Sequence, residues 1–175
     1  MEDRLCHSLN HRAVLQLFRA AHGLAISPAG RADIRNAAGE DLVRISAAHG
    51  LAPLMADGLD TLADLEIERD LQIFWQEMRD GNRQRNLKMK AQLEAVAAIL
   101  SGEQVPAVVL KGGCTLVLAA PGQFHRRFIG DLDLLVAEAD LDRAVSALTA
   151  SGYRNFYADD EFYHAPDHHD APLVS

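Results

Sequence analysis

Near residue 103 the spacing of apolar residues changes, and with it the kind of structure the chain can form. Up to about residue 100, apolar residues recur every three or four positions, the period of a helix with one buried face. Residues 105–110 are instead one apolar run, interrupted only by Pro106. A short run of that kind is expected of a strand buried on both faces. The order that follows alternates strand and helix. The fold class expected is therefore α+β: an N-terminal helical region over 1–101, then a core of alternating strands and helices over 102–175.

In the first region, Leu5, Leu9, Ala13, Leu17 and Ala21 predict a helix over 4–22, with Ser27-Pro28-Ala29-Gly30 as the turn that ends it. Ile34, Ala38, Leu42 and Ile45 predict a second helix over 32–49, closed by Gly50 and Pro53. A short helix is expected over 52–58. Two stripes, one through Leu71 and Met78 and one through Met89 and Val96, predict a long helix over 62–100 that Gly81-Asn82 bends or divides. The role expected of this region is support.

In the second region, the strand over 105–110 runs into Lys111-Gly112-Gly113, followed by a helix over 115–120 that Pro121-Gly122 ends. A basic loop over 123–127 leads to a strand over 131–136. An amphipathic helix over 139–150 and a strand over 153–157 follow. Beyond Ala158 the chain is acidic and rich in His.

The chemistry is carried by Asp131-Leu132-Asp133. In a strand, residues i and i+2 share a face, so the two carboxylates project together, with β-carbons about 6.5–7 Å apart. Leu132, Leu134 and Val136 would face the core. Paired carboxylates at that spacing repel unless a cation joins them. Mg²⁺ takes such oxygens together with substrate phosphates. Lys111, Gly112 and Gly113 add a cation and a flexible backbone at a helix start, where anions are favoured. Arg127 adds a guanidinium fork suited to phosphate; Arg126 reads as a solvated neighbour. Neither a Walker A loop nor a Gly-x-Gly-x-x-Gly turn is present.

Charge and composition narrow the field. The 175 residues are 49% hydrophobic and 24% charged, which suits a core that needs no staples. A formal charge of -8 argues against a broad electrostatic grip on nucleic acid. Nucleotide binding stays open, because a bound divalent cation reverses the local field. Two distant cysteines, Cys6 and Cys114, form no framework, and the cytoplasm is the expected compartment. Neither a secretory h-region nor a run of ~18 apolar residues is visible, so no membrane association is expected.

Taken in order, these stretches resemble a known family: the uncharacterised nucleotidyltransferases of the polymerase-β-like superfamily. The resemblance lies in Val108-Val109-Leu110-Lys111-Gly112 and in Arg127-Phe128-Ile129-Gly130-Asp131-Leu132-Asp133-Leu134-Leu135-Val136. The helix ending at Gly152-Tyr153 and the lead-in His49-Gly50-Leu51-Ala52-Pro53-Leu54 are similar too. The resemblance implies that Asp131 and Asp133 bind Mg²⁺ or Mn²⁺ and act in catalysis. It also implies a small mixed-sheet nucleotidyltransferase core flanked by helices. Lys111, Gly112 and Gly113 would meet the triphosphate of ATP or another nucleoside triphosphate, and Arg127, also a nucleotide-binding candidate, would lie near the phosphates or the acceptor. An acceptor hydroxyl, on a small molecule, peptide or protein, would receive the nucleoside monophosphate. The family pattern also has a third carboxylate on a later strand. Asp167 and Asp170 sit in a loop-like segment and are not assigned that role, so the core is either shortened at its end or lacks the acid. The alternative expectation is a catalytically incomplete nucleotide- or partner-binding regulatory module of the same fold. His164, His168 and His169 match no zinc spacing and read as a solvated tail; His7 and His11 read as surface residues.

Overall fold

The computed structural model describes residues 2–120, 122–155 and 173–174. Helix α1 (Glu2–Ala21) buries Ala13, Val14, Leu17 and Ala20 on one face. Ser27-Pro28-Ala29-Gly30 is not the closing turn expected. It starts helix α2 (Pro28–Asn36), where the Ser27 side chain accepts a hydrogen bond from Gly30 N at 3.1 Å and Pro28 takes the first turn. Both are start signals, because that turn leaves backbone N–H groups without partners.

The expected helix over 32–49 is two helices, α2 and α3 (Gly39–Ala48), parted by extended backbone at Ala37 and Ala38. The cause is tertiary. Asn10, buried on α1, accepts the Ala38 N–H at 3.2 Å and donates to Asp41 at 2.6 Å, fixing the start of α3 from another helix. Gly50, at φ +66, ends α3, and Leu51 N bonds back to Ser46 O at 2.7 Å. Helix α4 (Ala52–Thr61) follows, as expected. It crosses α1 so closely that a β-carbon at Gly58 would lie 2.4 Å from Leu17 O.

Helix α5 (Arg69–Gly102) begins later than expected and is undivided at Gly81-Asn82 across its 34 residues. Asn82 does not compete for the helix backbone, because its side chain is engaged by another segment. The N-terminal part of α5 sends Leu71 and Trp75 into the core made with α1 to α4. Its C-terminal part belongs to two smaller cores. Val96 and Leu100 meet Val105 and Ala144 in one; Leu93 meets Leu116 and Ile129 in the other.

Strand β1 (Ala107–Val109) pairs antiparallel with β2 (Leu134–Val136), Val108 opposite Leu135. Helix α6 (Lys111–Leu118) lies between them in sequence. A 3-10 turn (Glu138–Asp140), helix α7 (Leu141–Ala150) and β3 (Arg154–Asn155) follow, and β3 pairs antiparallel with β4 (Leu173–Val174). The α+β class holds. Strand β1 is shorter than expected and is not buried on both faces: Val108 and Leu135 are each 57% exposed. Helices α5, α6 and α7 supply the apolar cover on the inner side only. Strand β2 begins at Leu134, after the Asp pair rather than with it. Strand β4 was not expected at all. His164, Asp167, His168, His169 and Asp170 lie outside the described residues.

Candidate active site

Asp133 sits at the mouth of the β1–β2 ladder. Its carbonyl accepts from Leu110 N at 2.9 Å, which carries the pairing one step beyond β2. Leu132 and Leu134 on either side pack inward beside Leu93, Leu116 and Ile129. The alternation that turns those leucines inward turns Asp131 and Asp133 outward. Asp131 is exposed. Asp133 is 20% exposed, and its Oδ1 lies 3.2 Å from Lys111 Nζ. Its Oδ2 is buried with no hydrogen-bond partner. Such an atom is rare in folded proteins and asks for an explanation.

Lys111 is the first residue of α6, at φ +46, a left-handed backbone that a side chain seldom adopts. Strain of that kind collects at functional sites. Gly112 and Gly113 are not a turn ahead of the helix but part of its first turn. A β-carbon at Gly112 would lie 2.9 Å from Ile129 Cγ2, and one at Gly113 would lie 2.5 Å from Val109 Cγ1. Both glycines therefore let α6 press against the strand before it and the segment leading to Asp131. Cys114 is a packing residue, donating its thiol to Val109 O at 2.9 Å.

Arg127 is exposed, and its Nη1 reaches Thr115 Oγ1 at 3.4 Å. Thr115 follows Lys111 by one helical turn, so Lys111 and Arg127 both lie along α6. The structure thus joins Lys111 to Asp133 directly and Arg127 to α6 through Thr115.

Several residues that hold this arrangement were missed from sequence. Asn86 donates to Phe124 O at 2.5 Å and Arg127 O at 2.8 Å; Asn82 donates to His125 O at 2.7 Å and Arg127 O at 3.0 Å. Arg85 stacks on the Phe128 ring at 4.4 Å. From the helical side, Asp57 on α4 accepts from buried His125 Nε2 at 2.8 Å and lies 3.2 Å from Arg126 Nε. Arg126, expected to be solvated, also donates to Ala21 O at the end of α1. The signal in the sequence was there: Asn82 and Asn86 continue the stripe of Met78 at the spacing of four, two amides where apolar residues should stand.

Among the described residues no group of three or more His, Cys, Asp or Glu is gathered as for a metal. No described helix is long and apolar enough to cross a membrane. No curated protein and no solved structure matches the chain. A family described as "Uncharacterised nucleotidyltransferase" matches residues 36–173, which takes in α3 to β3, the first residue of β4 and every candidate site residue described above. On that match, across well over half its length, the chain belongs to the uncharacterised nucleotidyltransferase family.

Proposed function

We propose that this nucleotidyltransferase moves a nucleoside monophosphate from ATP or another nucleoside triphosphate to an acceptor hydroxyl, with Mg²⁺ or Mn²⁺ held by Asp131 and Asp133. The observation that carries the reading is Asp133: one carboxylate oxygen meets an ammonium, and the other is buried without a donor. A hard cation suits oxygens of that kind. When bound, it would supply the positive charge that phosphoryl-type transfer requires. The remaining work falls to the chain. Lys111, freed from Asp133, and the N–H groups at the start of α6, which favour anions, would bind and orient the triphosphate. Arg127, tied to α6 through Thr115, would lie near the phosphates or the acceptor. The acceptor oxygen forms a bond to the α-phosphorus, the bond from that phosphorus to the β-bridging oxygen breaks, and pyrophosphate leaves. The hydroxyl proton passes to solvent. Fixed cations aimed at the charge that develops are the largest contribution expected of such a site.

A thermal-shift titration tests the reading. Mg²⁺ with each nucleoside triphosphate should raise the melting temperature of the wild type. A ligand at 100 times its dissociation constant adds ~2.7 kcal/mol. The Asp131→Ala/Asp133→Ala variant should lose that shift. Binding that survives in the variant would move the nucleotide elsewhere. Binding without pyrophosphate release, whatever acceptor is offered, would favour the regulatory module instead.

A further inference from the structure

One groove on the helical side opens beside the same Arg127. It measures about 460 Å³, within the usual range for small-molecule sites. Phe18 and His22 at the end of α1 form one wall, His49 and Leu51 around the Gly50 turn form another, and Arg127 and Phe128 form the third. An apolar arm of about 280 Å³ shares Phe18, His49 and Leu51 and continues along α1 past Leu15. The groove is therefore amphiphilic along its length. Its charged end is lined by His22, His49, Arg126 and Arg127 and by no carboxylate, in a chain of net charge -8. Arg126 is committed to Asp57 and to Ala21 O, which leaves Arg127 as the guanidinium facing a ligand. Phe128 is 54% exposed, yet Arg85 stacks on it from α5, so the ring is a braced wall and not a loose end.

The groove is also near the chemistry. Phe128 and Asp131 are three residues apart, and an extended chain spans at most ~3.6 Å per residue, so their backbones are within about 11 Å.

We propose that this groove is the acceptor subsite, and that the acceptor is an amphiphilic hydroxy acid: an aliphatic or planar body in the apolar arm, with its anionic group and hydroxyl at the Arg127 end. The inference rests on the transferase reading and narrows its substrate class.

The test uses 3-hydroxydecanoate, its methyl ester and 3-hydroxybutyrate as probes, with binding followed by calorimetry on the whole chain. The acid with the long tail should bind saturably. The ester, which lacks the charge, and the short acid, which lacks the body, should each bind at least tenfold more weakly. Phe128→Ala and Leu15→Asp should each weaken the long acid at least tenfold; Leu15→Asp, which alters an exposed side chain of α1 outside the site, should leave the Mg²⁺–ATP thermal shift unchanged. Absence of saturable binding, or binding that neither variant alters, overturns the proposal. Loss of the Mg²⁺–ATP shift in Leu15→Asp also overturns it, because the groove would then hold part of the nucleotide, and the transferase reading would stand. Binding of the long acid by a wild type that gives no Mg²⁺–ATP shift removes the acceptor role together with the reading beneath it.

Discussion

Each amide nitrogen of Asn82 and Asn86 donates to two carbonyls of the segment that carries Arg127, and Arg127 O accepts from both. Two side chains one turn apart on α5 thus hold three consecutive or near-consecutive peptide groups. A buried carbonyl that loses its donor costs about 1–3 kcal/mol. Asn86→Ala strips Phe124 O of the amide and leaves Arg127 O with Asn82, so urea unfolding should show a loss of about 1–3 kcal/mol. The double variant should lose more than the sum of the singles, because only it strips Arg127 O of both amides. Singles that cost almost nothing would mean that the contacts of His125 and Arg126 with α4 and α1 hold the segment without the amides. At this scale the sequence was legible where chemistry is local. Lys111 and Asp133 were singled out by type and local pattern, and the structure brings them within 3.2 Å of each other. Asp57 and His125 were not, because they are 68 residues apart and nothing in either neighbourhood announces the other.

Among the elements, periodicity located α1 and α7, and it failed where a distant side chain decides the outcome. Asn10 parts α2 from α3, and no count of apolar residues in 32–49 contains Asn10. The glycines make the same point with opposite signs. Gly81 lies within α5, and a β-carbon there meets nothing within 4 Å. Gly81→Ala should therefore stabilise the chain by about 0.5–1 kcal/mol, since glycine gives up more backbone freedom in a helix than alanine. Gly113→Ala places a β-carbon 2.5 Å from Val109 Cγ1 and should destabilise by about 1–3 kcal/mol, the usual cost of overpacking. Denaturation midpoints moving in opposite directions would bear this out; movement in one direction would refute the packing of α6 on β1. The expectation of a strand over 131–136 erred for a related reason. Residue pattern extends a strand as far as alternation lasts, whereas pairing with β1 stops where Lys111 turns left-handed and α6 begins.

For the molecule as a whole, two exposed ion pairs tie the helical part together. Arg12 donates to Asp33 between α1 and α2, and Arg31 donates to Asp64 in the connection before α5. The hydrogen bond from each arginine holds its partner carboxyl below the usual range. Carboxyls with a lowered folded value stabilise the fold above their unfolded value, about 3.9, and lose that contribution as pH falls through the folded one. The melting temperature should thus decline below about pH 4, and Asp33→Asn/Asp64→Asn should decline less over that interval. Parallel curves would show that neither bridge contributes, the common fate of exposed pairs. A different kind of constraint follows from the crossing of α1 and α4. Gly58 stands next to Asp57, with Leu17 O where its side chain would be. Any larger residue there would push α4 away from α1 and take Asp57 with it. Mutational drift can alter Val117 or Leu118, which are open to solvent, at little cost. It cannot alter position 58 without also moving the anchor of His125 and Arg126, so the close approach of two helices constrains the segment that carries Arg127.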